Sequence, residues 1–212
     1  MTETELRNSI VKLAKSLFDR GYTVGSSGNI SVRCGENFLV TPTNSCMGFL
    51  EADTLSLVSA ESTLLAGNKP TKELSMHFAV YTGRPQTQAV VHLHSTYATL
   101  LSCLDDTDAS DALLPITPYA VMRLGKVPVL PYTRPGSDKI VAPLIDALKE
   151  HSAVLLANHG PVVSGSSLEA AVYAAEELEE TAKLLMLSRS QPKRLLSKAQ
   201  VAELDVTFNL RD

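Results

Sequence analysis

The sequence predicts a layered α/β fold in which helices pack against a central sheet. Three observations carry that expectation. Apolar residues recur with a helical period in some segments and as short strand-like runs in others, and the two kinds are interleaved along the chain. The 212 residues suffice for a substantial core, in one domain or at most two small ones. No internal repeat, low-complexity tract or convincing linker interrupts them.

The elements follow in order. From Leu6 to Arg20, apolar residues at Ile10, Val11, Leu13, Ala14, Leu17 and Phe18 keep close to a helical period, and Gly21 suits a stop. Val24 to Ser31 is a loop of small residues. Ile30 to Arg33 and Asn37 to Thr41 read as a strand pair about Gly35-Glu36, with a second loop punctuated by Pro42 and Gly48. Leu55 to Leu57 and Ser62 to Leu65 are short strand candidates. Glu73 to Thr82 is expected to be helical, Val90 to Leu93 a buried strand, and Ser95 to Leu104 and Pro118 to Leu124 helices. Val127 to Pro131 and Ala153 to Ala157 read as strands, Ser137 to His151 and Ser167 to Ser190 as helices, and Ser197 to Leu204 as a short helix in a polar tail.

Composition excludes several functions. With 19 basic and 23 acidic residues the net charge is −4, which gives no electrostatic reason to expect nucleic acid or an anionic membrane as partner. A small anionic substrate remains compatible, because a few local donors outweigh a weak global field. The acidic, polar start lacks a signal peptide's basic residues and apolar run. No apolar stretch approaches the roughly 20 residues that span a bilayer. Cys34, Cys46 and Cys103 are odd in number and form no CxxC pair, so neither a disulfide framework nor a cysteine zinc site is expected. Together these features point to a reducing cytoplasm.

Three motifs carry chemistry. In Val91-His92-Leu93-His94, positions two apart share a strand face, so His92 and His94 project together with Leu93 behind them. Alone, such a pair is as readily two unrelated histidines. Ala153 to Ala157 leads into Asn158-His159-Gly160, which puts a third imidazole where a strand meets a loop; a histidine in a turn is the bland alternative. Three histidines with a fourth position open is the ligand pattern of catalytic zinc. In Pro70-Thr71-Lys72-Glu73, Thr71 is a candidate helix cap and Glu73 a first-turn residue, which the helix dipole favours by itself. The donors around Glu73 also make an anion site. His77, one turn on, is expected to be a buried polar residue with a structural partner rather than a further ligand. Gly28-Asn29 and Thr43-Asn44 offer small-residue loops that suit phosphate oxygens or ordinary turns. Tyr119, taken alone, is more often core than catalytic.

In order, Ser27-Gly28-Asn29-Ile30-Ser31, Thr41-Pro42-Thr43, Pro70-Thr71-Lys72-Glu73, Val91-His92-Leu93-His94-Ser95 and Asn158-His159-Gly160 resemble the class II aldolase/adducin family. The resemblance runs from about Leu6 to about Ser190. It implies one domain over residues 1–212, a three-layer α/β/α arrangement with a central, mostly antiparallel sheet. It implies one zinc, or another divalent ion such as manganese or cobalt, per subunit on His92, His94 and His159. Glu73 would be metal neighbour and proton shuttle. Substrate phosphate would be held by Gly28, Asn29, Thr43, Asn44, Thr71 and Lys72, and the assembly would be a homotetramer with sites between subunits.

Within the family, Thr117-Pro118-Tyr119-Ala120-Val121-Met122 and Tyr132-Thr133-Arg134-Pro135-Gly136-Ser137 resemble the 3-oxo-tetronate 4-phosphate decarboxylases. Lys72 stands where the fuculose-phosphate aldolases carry a second small hydroxyl residue. That branch implies a phosphorylated 3-keto sugar acid as substrate, with dihydroxyacetone phosphate and carbon dioxide as products. Tyr119 joins Glu73 as a catalytic candidate, and Lys72 and Arg134 as contacts for charged groups. Aldol cleavage of a phosphorylated sugar is the rival inside the enzyme class. An adducin-like assembly module with a vestigial site is the rival outside it.

Overall fold

The computed structural model describes residues 1–208, and among these described residues there are eight strands and seven α-helices. Eight strands form one sheet: β1 (Asn29–Cys34), β2 (Asn37–Val40), β3 (Ser56–Val58), β4 (Leu64–Ala66), β5 (Ala89–His92), β6 (Val129–Leu130), β7 (Ala153–Leu156) and β8 (Gly160–Gly165). Their spatial order is β4-β3-β2-β1-β5-β8-β7-β6, and every pairing is antiparallel except β6 with β7. Seven α-helices are α1 (Glu3–Asp19), α2 (Leu74–Gly83), α3 (Thr96–Ser102), α4 (Pro118–Leu124), α5 (Val141–Leu148), α6 (Leu168–Leu187) and α7 (Lys198–Phe208). The expected layered architecture with a mostly antiparallel sheet is the one observed.

Strand alternation divides the core in two. Ile30, Val32, Leu39, Val91, Leu93, Leu155 and Val163 face one side, where Ile10, Ala14 and Leu17 of α1, Ala98 and Leu101 of α3 and the alanine-rich stripe of α6 cover them. Phe38, Val40, Val90, Val154 and Val162 face the other side, under α2 and α5.

Several boundaries differ from the sequence reading. Helix α1 begins three residues before Leu6, because Thr2 accepts from the Glu5 amide while the Glu5 carboxylate accepts from the Thr2 amide. Strand β8 was not expected at all. It turns Ala157-Asn158-His159 into a hairpin loop closed by the Leu156–Gly160 pair. Asn158 takes φ 57° there, a left-handed conformation that asparagine tolerates. Residues 138–140 form a separate 3-10 turn before α5 rather than part of one long helix.

Candidate metal centre

The site lies where β5, the β7–β8 turn and the start of α2 meet. His92 ends β5 on the α2 side and is fully buried. Leu93, equally buried, turns to the opposite core and anchors the segment from behind. His94 then follows just beyond the strand. His159 comes from the hairpin turn with 9% of its side chain exposed. The three rings converge: His92 Nε2 is 3.1 Å from His94 Nε2 and 3.3 Å from His159 Nε2. The three ligand atoms all lie within 4.8 Å of one another.

Two glycines make this convergence possible. Gly28 (φ +78°) passes so close to β5 that a Cβ there would sit 2.8 Å from the His92 carbonyl oxygen. Gly160 (φ +144°) passes on the other side, with a Cβ position 2.4 Å from the Leu93 carbonyl oxygen. Any side chain at either place would push the ligand segment aside.

The donor set fits a metal. Two nitrogens at about 2.05 Å from zinc at a tetrahedral angle are about 3.3 Å apart, the separation the rings already show. His92 Nδ1 donates to the Pro161 carbonyl at 2.8 Å, which leaves Nε2 as a lone pair aimed at its neighbours. Burial is the first cause lowering the pKa of His92, His94 and His159 below 6.5; neighbouring imidazoles lower the first two further, and Glu73 opposes the shift at His94 and His159. Three neutral rings with converging lone pairs repel one another without a cation and bind one readily.

Glu73 sits over this cluster. Its Oε2 is 3.5 Å from His92 Nε2 and its Oε1 is 3.5 Å from His159 Nε2. The helix begins one residue later than the sequence suggested: Glu73, not Thr71, is the residue at the cap, and it makes no side-chain capping bond. Thr71 instead accepts from the Glu73 amide at 3.3 Å, and the Glu73 carbonyl starts the helical ladder by accepting from His77. The carboxylate is thereby free to turn toward the histidines. Asn29, directly opposite His92 in the β1–β5 pairing, donates its side-chain amide to Glu73 Oε2 at 2.8 Å.

The other candidates lie in separate places. Thr71 is buried beside Glu73, while Lys72 is exposed next to it. Thr43 and Asn44 line an open cleft of about 400 Å³ with Lys69 and Phe49, and the Thr43 amide is already committed to the Lys69 carbonyl. Arg134 lines a small pocket with Glu73, Ser75, Ser137 and His159. Tyr119 stands apart: it is 57% exposed on α4, which packs against α6 and α7, and it does not line that pocket. His77 is the buried polar residue expected, held by Ser31 and Asn29.

Sequence reasoning missed Glu179, which is 7% exposed and accepts from the Tyr97 and Ala98 amides. This carboxylate caps α3 and so fixes the backbone just after His94. It also missed Ser31 and Tyr81, although Asn29 and Ser31 are two apart on a strand, and Glu73, His77 and Tyr81 are four apart on a helix.

The chain is similar to several known proteins. A 3-oxo-tetronate 4-phosphate decarboxylase from Escherichia coli K12 is 48% identical over 203 residues, covering 95% of this chain and 96% of that one. An L-fuculose phosphate aldolase from Methanococcus maripaludis C7 is 35% identical over 176 residues, covering 83% and 93%. The crystal structure of YgbL from Klebsiella pneumoniae superposes with a TM-score of 0.94 at 48% identity, over 96% of this chain and 99% of that chain. The model for the Class II Aldolase and Adducin N-terminal domain matches residues 8–186. A match of that length, on a chain whose fold is also shared, means that this protein belongs to the class II aldolase/adducin family.

Proposed function

We propose that this chain is a metal-dependent carbon–carbon lyase that decarboxylates 3-oxo-tetronate 4-phosphate to dihydroxyacetone phosphate. The observation that carries the reading is the convergence of His92, His94 and His159 on one point with Glu73 beside it. The names borne by the relatives described above support the choice of reaction.

A divalent ion, zinc or another such as manganese or cobalt, would be held one per subunit by the three histidines, with Glu73 as its neighbour. When bound, it supplies Lewis acidity that draws electron density toward the substrate's ketone oxygen. The chain's own residues do the rest. The bond between carbon 1 and carbon 2 breaks and its electron pair moves toward the ketone, so carbon dioxide departs and carbon 2 must then gain a proton. Glu73 is the carboxyl group placed to carry it. Gly28, Asn29, Thr43, Asn44, Thr71 and Lys72 are assigned to the phosphate. Asn29 retains a second amide hydrogen and Thr71 its hydroxyl hydrogen for that purpose. Arg134 is assigned to the substrate's carboxylate end, beside Glu73.

A homotetramer with sites between subunits completes the reading, with Tyr119, exposed on α4 and absent from the pocket beside Glu73, supplied by a neighbouring copy. The three free thiols suit a reducing cytoplasm. The test is metal analysis of the purified protein together with its incubation with 3-oxo-tetronate 4-phosphate. The expected result is about one divalent ion per chain, equal yields of carbon dioxide and dihydroxyacetone phosphate, and loss of both on chelation. An aldehyde without carbon dioxide, from a phosphorylated sugar, would replace decarboxylation by aldol cleavage. No bound metal and no turnover would leave an assembly module.

A further inference from the structure

Beneath the metal centre, a row of buried polar side chains runs between β1 and α2. Alternate strand residues are about 6.6 Å apart and residues four apart on a helix about 6 Å, so two such rows can run in step. Asn29 and Ser31 form one row; Glu73, His77 and Tyr81 form the other. Asn29 meets Glu73 and His77, and Ser31 meets His77 and Tyr81. Ser31 and His77 are fully buried, Tyr81 is 5% exposed and Asn29 6%.

The carboxylate at one end sets the direction of every bond. As a carboxylate Glu73 only accepts, so Asn29 must present its nitrogen there, at 2.8 Å. Its oxygen then faces His77 and needs a donor, which must be Nε2–H. A neutral imidazole has one hydrogen, so His77 Nδ1 accepts from the Ser31 hydroxyl at 2.7 Å. Ser31 in turn accepts from the Tyr81 hydroxyl at 2.9 Å. The Tyr81 ring is itself fixed between Phe38 and the Arg33 guanidinium, which lies 4.8 Å over it.

We infer that Tyr81, Ser31 and His77 are positioning residues for Glu73, acting through Asn29 by holding its amide nitrogen toward the carboxylate. A flipped Asn29 would set its oxygen against Glu73 and push the carboxylate out of place. With the row intact, Oε2 is tethered and Oε1 stays free for proton traffic. The inference rests on the reading of Glu73 as proton carrier, and the experiment separates the two.

His77→Leu removes the donor to Asn29, His77→Gln keeps one, and Tyr81→Phe removes only the terminal hydroxyl. In His77→Leu, kcat for carbon dioxide release should fall on the order of 10²-fold, the effect of a reacting group misplaced by about 1 Å, with bound metal unchanged and with a smaller rise in KM through the Asn29 amide hydrogen assigned to the phosphate. His77→Gln should restore most of that loss, and Tyr81→Phe should show a smaller loss, again larger in kcat than in KM. Long-range proton–nitrogen NMR of the metal-free protein should find His77 neutral with its hydrogen on Nε2. A hydrogen on Nδ1 overturns the inference, as does full kcat in folded His77→Leu and Tyr81→Phe. A loss confined to KM or metal content, with His77→Gln no better than His77→Leu, also overturns it. Should His77→Leu not fold, Tyr81→Phe and the NMR measurement decide. Full turnover in Glu73→Gln would sink the proton-carrier reading whatever the His77 variants do; an inactive Glu73→Gln beside fully active His77→Leu and Tyr81→Phe sinks the row alone.

Discussion

The two faces of the sheet are built from the same strands and do different work. On the face covered by α1, α3 and α6, side chains such as Leu93, Leu155 and Leu178 are apolar and fully buried. On the face covered by α2, the alternate residues of β1 and β5 include, beside the apolar Val90, Asn29, Ser31 and His92, answered by Glu73, His77 and Tyr81. One face supplies burial, and each buried leucine contributes a few kcal/mol. The other spends part of its area on polar groups that must all be satisfied, because an unpaired one costs about 1–3 kcal/mol. The division teaches that this chain holds its chemistry rigid by backing it with a face that has none.

The contrast can be broken most sharply at Glu73. Glu73→Gln should lower kcat by about 10²- to 10⁴-fold, the usual worth of a positioned acid/base. Thermal stability and bound metal should stay near the parent values, and a fall in metal content with unchanged kcat would reassign the residue from proton carrier to ligand. Leu178→Ala on the opposite face should cost about 2–5 kcal/mol of stability, read by urea denaturation, as buried leucines do. The folded fraction should keep its kcat and KM; a proportionate loss of activity would show that the faces are not separable.

The remaining contrast is the pH dependence of the metal-free protein, and it too belongs to one face. His77 is driven down to about 3, chiefly by burial and secondarily by His92, with Glu73 opposing. His92, His94 and His159 also lie below 6.5. The unfolded chain therefore takes up protons that the folded chain refuses. Their contribution is complete above pH 6.5 and is lost as pH falls below it, by up to about 1.4 kcal/mol per pH unit for each group. Urea midpoints should be flat from pH 8 to 7 and decline toward pH 5.5. A midpoint indifferent to pH over that lower range would mean that the rings are not held neutral.

Much of this was legible beforehand, and what was not has physical causes. The HxH pair was visible because strand alternation is a local rule, and His92 and Leu93 obey it. His159 was placed at a strand end, but the returning strand was overlooked: it opens on Gly160-Pro161, residues that ordinarily mark a turn, although here the neighbouring Leu93 amide needs only the Pro161 carbonyl. Thr71 looked like a helix cap, and its hydroxyl does accept a backbone N–H, but tertiary pairing of its own amide with Thr41 holds it outside the helix. Glu179 lies 81 residues from the Ala98 amide it caps, a separation no local pattern encodes.

The β7–β8 turn has a consequence for how such a chain can diversify. Because the Leu156–Gly160 pair closes it, adding or removing one residue between them would shift His159 off its target and reverse the inward and outward faces of whatever strand absorbed the change. The stretch around Arg134 carries no such register, being irregular backbone at the surface. Insertions there can reshape what enters the pocket while the ligand frame stays put. New specificities on this scaffold should therefore be sought by lengthening residues 131–137, with residues 157–159 kept at their present length.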